Sequence, residues 1–392
     1  MKSTPARERV CLLTGGGYPY RRDALSGWCR TLVEGLRQFR FDLLTVTDRE
    51  PPASPAYPLP LNVSSTLAVA YGRDPGRTER LRHGAKERAA TATGLLCTGL
   101  FGEAGTFADG LRQVSGLLDE GAATAAGLPL AEALLDAWKT GRTGFEPGDP
   151  PIPRLTVRDA RTAATLLRHA LGALAVPLPE TDLVHCVGGT TPLLTALGGR
   201  WRTGVPLLLT EARAAVARQR PTEERLSPAV RTVLRRFRGA VARTGYDEAG
   251  LIAPLSAYHH GWALEHGAQA DKLVQVPAGV DPSEYPGTPE INGESAVVWA
   301  GSGGPDSGLR ALLAAFEEVA AARAGTVLHL VGVTAAHEDH CAEQIERTGL
   351  GRAVRLHPLP ADPRDRYTAG HVVAHVPGPA DPPYRLVEAM MS

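Results

Sequence analysis

Three things are missing from this chain of 392 residues: a surplus of charge of either sign, an apolar run long enough for a bilayer, and any pairing among its cysteines. With 42 Lys and Arg against 42 Asp and Glu, no global field draws it to nucleic acid or to an anionic membrane, and only local patches can do so. The five cysteines, Cys11, Cys29, Cys97, Cys186 and Cys341, are dispersed, without the spacing of a metal site. Cys11 and Cys186 sit inside apolar runs, as small buried hydrophobes do in a reducing cytoplasm. Met1 to Arg9 is polar and charged, unlike a signal sequence, so the expected location is cytoplasmic. A chain of this length, 43% hydrophobic, can bury large cores and favours two domains over one.

What is present is organised around Val10 to Trp28. Val10 to Leu13 is a short apolar run, Gly15 to Gly17 remove side chains where it ends, and Ser26 can cap a helix carrying Trp28, Leu32, Val33 and Leu36. That reads as strand, glycine turn and helix, the unit whose main-chain N–H groups can face a nucleotide or its sugar in an open α/β sheet. The spacing is not the dinucleotide fingerprint, and a tight connection without chemistry explains the glycines equally well.

Further on, Phe41 to Val46 is a strand and Pro51 to Pro60 an extended surface connection. From Arg80 to Arg142, Leu111, Val114, Leu117 and Leu118, then Ala131, Leu134, Leu135 and Trp138, recur at the interval of amphipathic helices, which reads as a packed helical insertion. Gly144 to Pro153 is a loop. Alternation then resumes: a helix opened by Asp159, a strand at Leu183 to Val187 ending in Gly188 and Gly189, a short helix at Pro192 to Leu197, strands at Pro206 to Thr210, Gly250 to Leu255 and Leu273 to Val276, and a helix at His259 to His266. Strands alternating with helices imply a parallel, doubly wound sheet.

Prolines and glycines cluster from Pro282 to Glu294, which reads as a linker, and the cycle restarts after it. Ala296 to Ala300 is a strand, Gly301 to Gly304 a turn, Leu309 to Ala322 a helix, Val327 to Val331 a strand and His337 to Arg347 a helix. Val354 to His357 and Val372 to Val376 are further strands, and Tyr384 begins a last helix. The expected organisation is an N-terminal Rossmann-like domain over residues 1–285 with the insertion at about 80–142, a linker at 286–294, and a C-terminal domain over 295–392. Two such domains would place a cleft between the carboxyl ends of their sheets. The C-terminal domain reads as incomplete: the helix from Tyr384 meets no capping glycine or further strand before Ser392, so the expectation is a truncated, less stable unit.

In order along the chain, LLTGGGYPYRRDALSGW, DLVHCVGGTTPLL at Asp182 to Leu194, PLLLTE at Pro206 to Glu211, VPAGVD at Val276 to Asp281, LHLVG at Leu328 to Gly332 and RLVEAM at Arg385 to Met390 resemble glycosyltransferase family 4. The opening motif and the insertion are similar to the branch containing the glycosyltransferase of Pel exopolysaccharide synthesis. The resemblance implies a GT-B fold, α/β with two Rossmann-like domains. It implies a retaining hexosyl transfer from a nucleotide sugar, a UDP-sugar among the candidates, to a polysaccharide, lipid or small acceptor, with no cofactor and no metal required. It further implies Gly16, Gly17, Gly301, Ser302, Arg310 and Glu388 as donor-binding residues, and Glu211 and His185 as catalytic ones. Its partners would be the nucleotide sugar, a glycan or lipid acceptor, and a peripheral membrane surface or a synthase complex, but not nucleic acid.

The residues also depart from that pattern. Where the family carries an Arg and a Lys after the first strand of the second domain, this chain has Ser302 and Ser307, with Arg310 the nearest cation. The opening glycine pair becomes Asp23 and Ala24, the His after Glu211 becomes Ala212, and the earlier of two C-terminal glutamates becomes Ala380. Two negative charges develop on a departing nucleoside diphosphate, so each lost cation costs a few kcal/mol of transition-state stabilisation. The alternative is therefore a catalytically inactive GT-B paralogue that binds a glycan, a nucleotide or a partner subunit.

Several residues carry two readings. Glu388 suits a ribose through both hydroxyls, or simply the N-terminal part of a helix. His185 ends a strand and contacts a donor or acceptor hydroxyl, or is a satisfied structural histidine, and Glu211 is read the same way. His259 and His260 point apart on a helix and are expected at the surface. Arg213, Arg218, Arg220, Arg225, Arg231, Arg235, Arg236 and Arg238, interleaved with Val230, Val233, Leu234 and Phe237, form a basic amphipathic segment. It lies on an anionic membrane or glycan, or is a solvated helix with an apolar underside. No base-stacking aromatics accompany it.

Overall fold

The computed structural model describes residues 7–21, 24–48, 50, 54–71, 83–102, 104–141, 153–212, 225–277, 279, 295–304, 307–360, 363–376 and 384–392. Asp23, Arg213, Arg218, Arg220, Ala380 and the linker from Pro282 to Glu294 lie outside the described residues. The chain divides into two compact units, Met1–Pro277 and Ala278–Ser392.

Unit 1 is built on six parallel strands, β1 (Arg9–Thr14), β2 (Arg40–Thr47), β3 (Val63–Ala70), β4 (Leu183–Val187), β5 (Leu207–Glu211) and β6 (Leu251–Pro254), in the order β3-β2-β1-β4-β5-β6. The chain grows outwards from β1 to β3 and returns to β4 on the other side, so β1 and β4 flank a topological switch point. β3 is an edge strand whose VSSTLAVA sequence is half-exposed; too polar and too small to read as a core strand, it escapes sequence reading. Leu273–Val276 is a correction in the other direction. Val274 and Val276 donate to the carbonyls of Ile252 and Pro254, but only Ile252 and Leu273 form a bridge, so the segment lines β6 without becoming a strand.

Helix α1 (Ala24–Gly35) starts before Ser26, which sits buried in its first turn rather than capping it. The insertion is α2 (His83–Phe101), α3 (Ala104–Asp119) and α4 (Leu130–Thr140). Leu96, Phe107, Leu111 and Leu134 of these helices share one core with Cys11 and Leu13 of β1, Leu44 of β2 and Val184 and Cys186 of β4, so the insertion is a layer of the domain and not an appendage. α2 and α3 touch backbone to backbone: a methyl group on Gly99 would overlap Phe107, and one on Gly110 would overlap Leu96. Helix α5 (Val157–Leu171) begins at a capping box of Thr156 and Asp159. The same Asp159 accepts 2.6 Å from Ser227, which caps α7 (Pro228–Glu248), so one carboxylate ties two helix starts, and these hydroxyl bonds hold its pKa down.

α6 (Thr190–Thr203) follows β4 and α8 (Ala257–Glu265) follows β6. His259, expected at the surface, is buried and bonded through Nδ1 to Ser256 at 2.8 Å; neighbouring helix positions diverge, and only His260 faces outwards. Of the two readings of the basic run, the described part fits the helix with an apolar underside. Val230, Val233 and Phe237 of α7 are fully buried in the core, so its apolar underside is already used and is not free to enter a membrane. Among the described residues no helix is long and apolar enough to cross one.

Unit 2 repeats the plan with four parallel strands, β7 (Ala296–Ala300), β8 (Val327–Val331), β9 (Val354–His357) and β10 (Val372–Val373), in the order β10-β7-β8-β9. Strand periodicity splits β7: Trp299 faces the core made with α9 (Leu309–Ala322) and α10 (Glu338–Arg347), whereas Ala300 packs with Tyr367, Val373 and Ala389, the last on α11 (Tyr384–Met391). β10 is shorter than the expected Val372 to Val376, because only His371 and Ala374 extend its bonding to β7.

Candidate functional site

In unit 1 the two glycine turns meet at the switch point. After β1, Thr14 Oγ1 donates to the Tyr18 carbonyl at 2.9 Å and lies 3.2 Å from Thr45 Oγ1, and Tyr20 and Arg21 donate to the Gly17 carbonyl. Gly16 takes φ +73° and has open space where a side chain would stand, while a methyl group on Gly17 would come within 3.2 Å of Ser26 Oγ. On Gly15 a methyl group would come within 3.2 Å of Pro192 in α6, so the turn after β1 lies against the helix that leaves β4. Gly189 heads α6 with no side-chain cap, leaving main-chain N–H groups of the first turn unspent. This floor can take a polar or anionic group through its backbone.

The two candidate catalytic residues of this unit do not converge on that floor. His185 is the third residue of β4, two short of the strand end where the sequence reading put it. It is buried against Trp28 of α1, ring to ring at 6.1 Å, and its Nε2 lies 2.7 Å from Thr210 Oγ1. Burial pushes its pKa down to about 4, so the ring is neutral at ordinary pH. Glu211 follows Thr210, and successive strand residues point to opposite faces of a sheet. Its Oε2 therefore accepts 2.8 Å from Tyr246 of α7, within the core on the other side. Burial and the neighbouring carboxylate push the Tyr246 hydroxyl and the Cys186 thiol up, so both stay protonated. Thr210 is what the sequence reading missed: it is the hydrogen-bond partner that makes a histidine tolerable inside LVHCV.

Unit 2 offers a more open arrangement. Gly301 leaves β7 over the indole of Trp299, where a side chain would overlap the ring, and its N–H donates 2.9 Å to Val331. Gly303 takes φ +77° with Cys341 directly beneath. The turn is closed by Ser307, whose N–H and Oγ both donate to the Gly304 carbonyl, at 2.9 Å and 2.5 Å. The Ser302 carbonyl accepts from the N–H of Thr334 at 3.2 Å and from His337 Nδ1 at 3.2 Å. α9 then starts at Gly308 without a side-chain cap, with Arg310 exposed in its first turn and no acid there. Val376, just past β10, packs against Gly308, so turn, helix start and returning strand meet at the second switch point. Among the described residues no cation stands within the turn itself.

On the same unit Glu388 is part-buried and bonded through one oxygen: Tyr367 donates to Oε2 at 2.8 Å and Arg366 at 3.3 Å. Its Oε1 has no partner among the described residues. Tyr367 and Arg366 were not legible as site residues, since 21 positions separate Tyr367 from Glu388 and no periodicity links them. Ala212, buried at the end of β5, leaves no side chain able to take a proton at that position.

A family model described as Domain of unknown function (DUF3492) matches residues 8–271. No curated protein matches the sequence. Among solved structures the chain is similar to HepE from Anabaena, crystallised with UDP and glucose, at 15% identity and TM-score 0.51, over 98% of this chain and 78% of that one. It is similar to the same protein with UDP-glucose at 14% identity and TM-score 0.51, with the same coverage. Sucrose-phosphate synthase from Thermosynechococcus elongatus matches at 13% identity and TM-score 0.56, over 98% of this chain and 79% of that one. At such identities the likeness is one of fold, and the fold, two Rossmann-like units on parallel sheets, is GT-B.

Proposed function

The chain belongs to the DUF3492 family, and we propose that it is a glycosyltransferase whose second unit holds a nucleotide-sugar donor and whose first unit holds the acceptor. The observation that carries this reading is the turn from Gly301 to Gly304, set at a switch point beside the uncapped start of α9. Backbone N–H groups and the positive end of a helix dipole are the groups a diphosphate needs there. Glu388 supports the same reading, because a carboxylate with one oxygen pinned by Tyr367 and Arg366 presents the other, in a fixed orientation, to a ribose hydroxyl. The complexes of HepE with UDP and UDP-glucose favour a UDP-sugar. The resemblance to family 4 favours transfer of a hexosyl unit with retention, to a polysaccharide, lipid or small acceptor in the cytoplasm.

A second reading, a GT-B protein that binds donor or glycan without turnover, is favoured by one observation. Ser307 turns its hydroxyl back onto Gly304, and the exposed Arg310 is the nearest described cation on α9, so charge for the leaving diphosphate is sparse. The test is calorimetry with UDP combined with product detection over a panel of UDP-sugars. Wild type is expected to bind UDP and to release sugar from one member of the panel. Glu388→Gln keeps an acceptor for Tyr367 but weakens the ribose contact, so UDP affinity should fall roughly tenfold with little change in melting temperature. Binding without release of sugar from any donor identifies the non-catalytic paralogue, and no UDP binding at all overturns the donor reading of unit 2 and leaves a glycan-binding paralogue.

A further inference from the structure

We infer that His337 provides the phosphate contact missing from the glycine turn: its Nε2, protonated when the ligand binds, donates to the diphosphate of the nucleotide. This rests on the donor reading of unit 2 given above. His337 closes the short turn Ala335–His337 that leads into α10 and is that helix's N-cap residue. Its Nδ1 lies 3.2 Å from the Ser302 carbonyl and 3.0 Å from Thr334 Oγ1. A carbonyl only accepts, so Nδ1 carries a hydrogen, and in the neutral ring Nε2 is the nitrogen left with a lone pair. That nitrogen has no partner among the described residues.

The ring also lies along the turn. A methyl group on Gly304 would come within 3.1 Å of the ring's Cε1 and 3.4 Å of Nε2, and one on Gly303 within 3.7 Å of the His337 Cβ. The two glycines therefore leave nothing between the imidazole and the backbone that would cradle an anion. An ionised phosphate oxygen, as in the diester diphosphate of a nucleotide sugar, only accepts, so a neutral Nε2 has nothing to give it, whereas an imidazolium gives a charge-assisted bond. The imidazolium restores a cation beside the turn in which Ser302 and Ser307 carry none. The titratable and charged groups on the surrounding elements are Glu338, Asp339, His340, Cys341, Glu343, Glu346 and Arg347 of α10, Arg310, Glu317 and Glu318 of α9, His329 of β8, and Arg355 and His357 of β9, whose last carbonyl bonds the segment before Thr334. The described part of the turn adds no charge.

The experiment compares wild type with His337→Asn, whose short amide keeps a donor for the Ser302 carbonyl but has no atom at the Nε2 position. UDP and uridine are titrated by calorimetry at about pH 6 and about pH 8, in two buffers of different ionisation enthalpy. Comparison at equal pH removes the titration of the terminal phosphate of UDP itself, whose second pKa is about 6. At the lower pH wild type should bind UDP roughly tenfold more tightly than the variant, the gap should shrink at the higher pH, and the proton linkage of binding should change between the two pH values more in wild type than in the variant. Uridine should bind both equally. UDP bound equally by both proteins at both pH values overturns the inference and leaves the donor reading standing. Equal loss of UDP and uridine in the variant shows a purely structural role and also overturns it. Absence of UDP binding in wild type removes the donor reading, and the inference with it.

Discussion

In unit 1 the imidazole of β4 and the carboxylate of β5 are buried and bonded inwards, His185 to Thr210 at 2.7 Å and Glu211 to Tyr246 at 2.8 Å. In unit 2 the imidazole of His337 and the carboxylate of Glu388 are part-buried, each with one polar atom committed to the protein and one without a partner among the described residues. The residue types are the same and the consequences opposite. A buried, bonded group acts on stability, because removing its partner leaves an unsatisfied polar atom in the core. A group pinned by one atom is already oriented, and its second atom is free for a ligand.

The largest effect that can break this contrast is acid. Burial holds the folded pKa of His185 near 4 against an ordinary value of 6.5. Between those values the unfolded chain binds the proton and the folded one does not, so stability is intact above about pH 6.5 and is lost as pH falls towards 4, by about 3 kcal/mol in full. Urea titrations over that window should show the loss in wild type and a flatter profile in His185→Gln. Equal slopes would mean that the ring is more hydrated than its position implies.

A smaller effect is expected from Tyr246→Phe, which strips a donor from the buried Glu211. About 2 kcal/mol of unfolding free energy should go, with UDP affinity unchanged, as read by denaturant melts and calorimetry. A matching fall in UDP affinity would show that the core of unit 1 and the donor site are coupled, and would erase the distinction drawn above. The smallest concerns the turn in unit 2. Ser302→Arg with Ser307→Lys adds the cations that the related family carries and gives up the Ser307 bond to Gly304, so the net gain in UDP binding should be about 1 kcal/mol. No gain would show that the turn is already neutralised by the groups around it, His337 and Arg310.

Strand and helix spacing was informative wherever burial was one-sided and complete. β4, α9 and β8 run over the residues read from sequence, since Leu183 to Val187, Leu309 to Ala322 and Val327 to Val331 each have a core to face. The pattern failed where partial exposure blurred it. β3 is a polar edge, and Leu273 to Val276 is apolar enough for a strand but bonds to β6 at only one bridge. The glycine turns were visible as glycines. Whether each was open or filled was not: Gly16 has open space around it, while Gly301 lies on Trp299 and Gly303 on Cys341.

By itself, then, the order of residues determined the alternation of strands and helices, the two glycine turns and the motifs that resemble family 4, because periodicity and backbone freedom are local properties of the chain. Which polar side chain ends with a free atom is not local. His185 and Glu211 look exposed at the ends of apolar runs, yet Thr210, one position before Glu211, faces the other side of the sheet and bonds His185, while α7 brings Tyr246 to Glu211. His337 carries no motif at all, and only the packing of its turn beneath Ser302 directs its ring at Gly304. Those decisions belong to the tertiary structure, since a hydrogen bond between residues 25 or 35 positions apart exists only after the sheet and its helices have come together.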